Sequence, residues 1–229
     1  MQPDPVAARR PPDAMAELAL LVHALPGATH AELADALGVT RARVTQMLSS
    51  GPAAPAVPPG PTAGHVTRWW SAARPWEQAQ AVYEWLDANG CVPVLGGETA
   101  ADAIAPWRAP ASAVVHARKI VPPPAGFVPA DSHETATVTV VVDYRPSVIA
   151  AARDVDTPVG VLRVAHPLHT AADLRDAAAV DERAAEQVDM LVRRAGALQS
   201  APTGGSGRLP AREQEGFGHG RTDHAELGL

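Results

Sequence analysis

Residues 51–64 (GPAAPAVPPGPTAG) hold five prolines and no charged side chain. Proline has no amide hydrogen to give and its φ is fixed, so such a stretch makes neither a helix interior nor a central strand. It therefore divides the regular structure of the chain in two. At 229 residues the chain exceeds the usual single-domain length of about 100–200 residues, which suits two units better than one.

On the N-terminal side, residues 1–13 are rich in proline and charge and are expected to form a disordered arm. Met15, Leu18, Val22 and Leu25 then recur at spacings of three and four, which predicts a first helix stopped by Pro26 and Gly27. Thr29 followed by Glu32 has the spacing of a capping box, so a second helix should start near His30 and end before Gly38. Thr40 is placed to cap a third, carried by Val44, Met47 and Leu48 and closed by Ser49, Ser50 and Gly51.

The segment HAELADALGVTRARVTQMLS, residues 30–49, fits a helix-turn-helix wherever physics restricts the choice. Ala34 supplies the small side chain needed where two helices cross closely. Gly38 sits in the turn, where a left-handed backbone would cost another residue about 1–2 kcal/mol. With Leu33, Leu37, Val39, Val44 and Met47 turned inward, Thr40, Arg41, Arg43, Thr45 and Gln46 are left on the outer face of the third helix. These side chains suit a major groove: arginine donates twice to guanine, glutamine pairs with adenine, and each such contact discriminates by about 1–3 kcal/mol. The expected partner is double-stranded promoter or operator DNA, bound by a homodimer because one short helix reads too few base pairs.

Composition narrows the classes further. A net charge of −6 excludes a broadly basic surface, so nucleic-acid contact must be local, carried by a few arginines and backbone donors. Cys91 stands alone, which excludes an intramolecular disulfide framework or a cysteine-rich zinc site and fits a reducing cytoplasm. Arg9 and Arg10 before the apolar stretch 14–25 faintly echo an export signal, but Glu17 and His23 interrupt it. No apolar run reaches the ~18 residues of a membrane span. A soluble cytoplasmic protein with no membrane partner is expected.

The second unit, 68–198, should open with a short strand at 65–70 and a helix that Pro75 starts and Asn89-Gly90 closes. Strands at 91–95, 112–117, 136–142 and 159–164 then alternate with helices near 98–105, 146–152, 167–175 and 180–197, a small mixed α/β unit. From Gln199 the chain is rich in glycine, serine and charge, and 199–229 reads as a disordered tail. The expected fold class is thus α+β: a three-helix, winged-helix-like domain over 14–50, a linker or degenerate wing over 51–67, and the α/β unit.

The wording LGVTRARVTQML resembles the recognition segment of bacterial helix-turn-helix regulators. VLGGETAADAIAPWRAPASAVVHA (94–117) and VLRVAHPLHTAADL (161–174) resemble segments of the AbiEi-type antitoxins of abortive-infection, type IV toxin-antitoxin systems. That resemblance covers about 14–197. It implies an autoregulator that binds inverted repeats in its own promoter and antagonises a nucleotidyltransferase-like toxin encoded in the same operon. Only Thr40, Arg41, Arg43, Thr45 and Gln46 carry over as DNA contacts. One departure stands out: residues 51–67 contain no Lys or Arg for a basic wing, which leaves Arg68 and Arg74 as the nearest cations.

Other motifs admit rival readings. Gly96-Gly97 after a strand invites a nucleotidyl-transferring enzyme, but that chemistry needs two carboxylates at alternate positions on the next strand, and SAVVHARK offers none while Asp143 sits alone. We therefore expect no enzyme, no catalytic residue and no cofactor. His166 and His169 have ligand-like spacing, yet Pro167 and the lack of a neighbouring carboxylate argue for a cap or surface histidine and against a metal. Trp69, Trp70, Trp76 and Trp85 are expected to form a core between the two units rather than a stacking platform for bases. Val180, Ala184, Val188, Leu191 and Ala195 form a helical stripe that packs on the sheet or meets a partner. A protein-interaction adaptor built on the three-helix unit is the alternative from another class.

Overall fold

The computed structural model describes residues 14–25, 27–51, 66–119, 121–143, 145–179 and 181–200. The expected arm 1–13, most of the linker and the tail beyond 200 lie outside the described residues. In chain order the elements are α1 (Ala14–Ala24), α2 (His30–Leu37), α3 (Arg41–Ser49), β1 (Val66–Trp70), α4 (Pro75–Ala88), β2 (Val94–Gly96), α5 (Gly97–Ile104), β3 (Ala113–Ala117), β4 (Val128–Pro129), β5 (Val138–Val142), α6 (Pro146–Ala150), β6 (Arg153–Thr157), β7 (Gly160–Val164), α7 (Pro167–Asp173), α8 (Arg175–Ala178) and α9 (Glu182–Ser200). The described chain is α+β.

A seven-stranded sheet runs in the order β4-β1-β5-β3-β2-β7-β6. The β5–β3 and β2–β7 pairs are parallel and the others antiparallel. Alternation along the strands sends Val115, Val138, Val140 and Leu95 to one face, where Val82 and Leu86 of α4 complete the main core. On the opposite face α6 packs through Val148 against Val94 and Ala165, and α7 lies beside it. The predicted stripe of α9 is inward: Ala184, Leu191 and Ala195 are buried, Leu191 against Ala101, Ala171 and Leu174.

Three expectations need correcting. The four tryptophans do not form a core between two units: Trp69 is buried in the main sheet core, while Trp70 and Trp85 are exposed at 46% and 37%. Trp76 Nε1 instead donates to Asp102 and Trp85 Nε1 to the Pro122 carbonyl, both within the sheet unit. Second, Val66 and Thr67, the last two residues of the expected linker or wing, belong to the strand Val66–Trp70, which pairs with β4 and β5 inside the sheet, and Arg68 lies opposite Thr139 there. Third, α1 has more than one buried stripe. Leu18 and Leu21 pack into the three-helix core with Leu33, Leu37, Val44 and Met47, but Glu17, Leu20, His23 and Ala24 are buried too, and Val22, expected inside, is exposed. The reason is a second set of neighbours: α1 also touches α6 and α9, with Leu20 against Leu168 and Ala195.

Candidate nucleic-acid interface

Local signals fix the three helices. Thr29 Oγ1 accepts the Glu32 amide at 3.3 Å while Glu32 Oε2 accepts the Thr29 N–H at 2.7 Å, closing the capping box. The Thr29 N–H and the Thr29 hydroxyl, which donates to Glu32 Oε2 at 2.8 Å, hold the Glu32 carboxyl below its usual pKa. Gly38 ends α2 at φ 65, ψ 32, in the left-handed region where a Cβ is penalised. Thr40 then caps α3, its hydroxyl accepting the Arg43 amide at 3.2 Å.

This turn seats α3 on Val44 and Met47, which are 0% and 2% exposed. Thr40, Arg41, Arg43, Thr45 and Gln46 all face solvent, and α3 carries no acidic residue. Their hydrogen bonds differ. Arg43 Nη1 donates to Gln46 Oε1 at 2.7 Å, a pair laid along the helix surface. The Thr45 hydroxyl donates to the Arg41 carbonyl at 3.1 Å and lies 3.1 Å from His30 Nδ1. The Arg41 guanidinium has no hydrogen-bond or ion-pair partner among the described residues. His30, in the first turn of α2, is a neighbour of this face that the reading of α3 alone overlooked; only the fold brings it to Thr45. Arg74, the residue before α4, donates its N–H to Glu77, and no contact places it beside α3.

Behind this face a polar seam fixes α1 to the sheet. Glu17 Oε2 accepts the Ser147 amide at 3.1 Å, and the Ser147 hydroxyl meets His169 Nε2 at 2.8 Å. Burial raises the Glu17 carboxyl pKa, although the Ser147 hydrogen bond and Arg145 oppose it. Burial likewise pushes His169 well below the ordinary histidine range. The last carbonyl of α1, Ala24 O, accepts from Arg153 Nη2 at 2.9 Å. His23 stands edge-on to His166, ring centres 5.4 Å apart.

Next to the seam, His116 of β3 is 1% exposed between two carboxylates. Its Nε2 is 2.9 Å from Asp173 Oδ2, which also accepts the Gly97 amide at 3.0 Å. Its Nδ1 is 3.1 Å from Asp143 Oδ2, but too poorly aligned for a good hydrogen bond, so that contact is an ion pair. Asp143 is therefore not alone: Arg145 grips it through Nε at 2.9 Å, Nη2 and its own amide. Burial works against charge on His116, but Asp173 and Asp143 overcome it and raise the pKa to about 9. Burial works against charge on Asp143 too, yet His116 and Arg145 hold its carboxyl far below the usual range. Gly96 leaves room for this arrangement, since a Cβ there would lie 2.3 Å from Asp173 Oδ2 and 2.6 Å from His116 Nε2. The Gly96-Gly97 pair thus admits a buried ion cluster.

His166 and His169 do not converge. His166 caps α7, its Nδ1 accepting the Leu168 amide at 3.3 Å, and is 3% exposed, so it is a cap but not a surface residue; His169 turns to Ser147. Among the described residues no three histidine, cysteine or acidic side chains are grouped to hold a metal, and no helix is long and apolar enough to cross a membrane. No protein-family model, curated protein or solved structure matches the chain.

Proposed function

We propose that the protein is a sequence-specific DNA-binding transcriptional regulator in which α3 enters the major groove. The observation that carries this reading is the outer face of α3: Arg41, Arg43, Thr45 and Gln46 stand exposed on a helix with no acidic side chain, seated by Val44 and Met47. In the groove, Arg41 is free to donate to a guanine edge, and the Arg43–Gln46 pair is already spread along the reading surface. The Thr40 and Thr45 hydroxyls and the first amides of α3 face phosphates. Two copies on a pseudo-palindromic site supply enough base pairs for specificity.

The direct test is fluorescence anisotropy with duplex DNA from upstream of the protein's own gene, against a scrambled duplex of equal length. Arg41→Ala combined with Gln46→Ala should weaken specific binding by at least about tenfold, given roughly 1–3 kcal/mol per bidentate contact, and bring it towards the scrambled value. Unchanged binding by this variant would falsify the assignment of α3 as the reading helix. An autoregulating antitoxin is the kind of regulator that the resemblance of 94–117 and 161–174 implies. Its test is whether co-expression relieves growth arrest caused by the product of the neighbouring gene.

A further inference from the structure

A cavity of about 190 Å³ lies between the β6–β7 hairpin, the C-terminal end of α5, the turn into α7 and α9. Ile104, Val155 and Val164 give it apolar walls, and the polar side chains that line it are Arg153, His166 and Arg194, with no carboxylate among them. The His166 ring is committed: because Nδ1 accepts the Leu168 amide, the neutral ring carries its proton on Nε2. That Nε2 is itself covered, so the His166 ring lines the cavity through other atoms. Burial, His23 and Arg153 lower the His166 pKa to about 4, so the ring is neutral in positive surroundings.

We propose that this cavity binds a small monocarboxylate with an apolar body. The carboxylate takes the guanidinium charge of Arg153 and Arg194, and the hydrocarbon part lies against Ile104, Val155 and Val164. The size suits an aromatic or branched acid, since a cavity of about 150 Å³ already holds benzene. Apolar walls with a few convergent polar groups are also the usual make-up of a small-molecule site. The same Arg153 guanidinium holds the last carbonyl of α1, so a bound carboxylate competes for the group that anchors the three-helix unit. This coupling to DNA affinity rests on the proposed function; the binding itself does not.

The experiment is ligand-observed NMR and calorimetry on the full-length chain without DNA, using benzoate and hexanoate, with benzamide as the uncharged analogue and acetate as the acid lacking an apolar body. At least one of the two larger acids should bind saturably with a Kd of about 1 mM or tighter, and benzamide and acetate about tenfold more weakly. Arg194→Ala, at an exposed position, should weaken the acid about tenfold, and Ala103→Leu should fill the cavity and abolish binding. No saturation by either acid below about 10 mM, equal affinity for benzamide, or wild-type affinity in Arg194→Ala overturns the proposal. Because DNA is absent, a chain that takes the acid but binds no operator refutes the regulatory reading alone.

Discussion

His116 shows how single side chains set the pH range of this fold. Its folded pKa of about 9 lies above the ordinary 6.5, so the folded state holds its proton more tightly than the unfolded one. The stabilisation is complete below pH 6.5 and is lost as pH rises through 9, roughly 3 kcal/mol in all. His166 and His169 have the opposite sign: their folded pKa values are depressed, to about 4 for His166. Their contribution is complete above 6.5 and drains away as pH falls towards 4. Urea midpoints measured from pH 4 to 9.5 should therefore peak near 6.5 and fall on both sides; a plateau from 6.5 to 9.5 would contradict the ion cluster. Gly96→Ala probes the same place by size. With a Cβ 2.3 Å from Asp173 Oδ2, it should cost about 3 kcal/mol or more in urea denaturation, because the neighbours are themselves paired and buried.

Among the elements, α1 joins α2 and α3 to the rest of the fold. Leu20 packs on Leu168 and Ala195, across from the three-helix core. Leu20→Ala should cost about 2–5 kcal/mol of global stability, measured by urea unfolding, while leaving the caps of α2 and α3 intact. Thr29→Ala, which removes half of a capping box, should cost only about 1 kcal/mol in the same assay. The contrast also explains what the sequence disclosed. The bounds of α2 and α3 were legible because Thr29, Gly38 and Thr40 act on residues within four positions of themselves. The second buried face of α1 was not, because its polar members Glu17 and His23 look like solvent-facing residues until Ser147 and His166 are brought to them. β6 (RDVDT) escaped notice because three of its five residues are charged, as an edge strand allows, and β4 because it is two residues long and ends in proline. His116 was the one visible clue to the ion cluster, a polar residue inside an otherwise apolar strand. Asp143 and Asp173 lie too far along the chain for spacing to join them to it.

Across the whole molecule, the three helices at the N-terminus share a core of their own and are also tied to the sheet unit. Part of α1 is buried against α6, α7 and α9, through the Glu17–Ser147 hydrogen bond and Leu20 on Leu168 and Ala195, and Arg153 of β6 bridges to the Ala24 carbonyl. A fragment of residues 1–51 should be markedly less helical than the same segment in the intact chain, by circular dichroism and amide exchange, and full helicity in the fragment would show that the seam is dispensable. The sheet order carries this dependence into biosynthesis. β1 is placed between β4 and β5, and although Trp70 meets Val128 of β4 earlier, Val66 finds its partner only at Val141, some seventy-five residues further on. A ribosome adding about 5–20 residues per second exposes the apolar back of α1 and the unpaired edge of β1 for seconds before α6, α7 and α9 emerge to cover them. Long-range pairing of this kind also slows folding once synthesis is over. The nascent chain, more than the finished protein, is where this architecture calls for a chaperone.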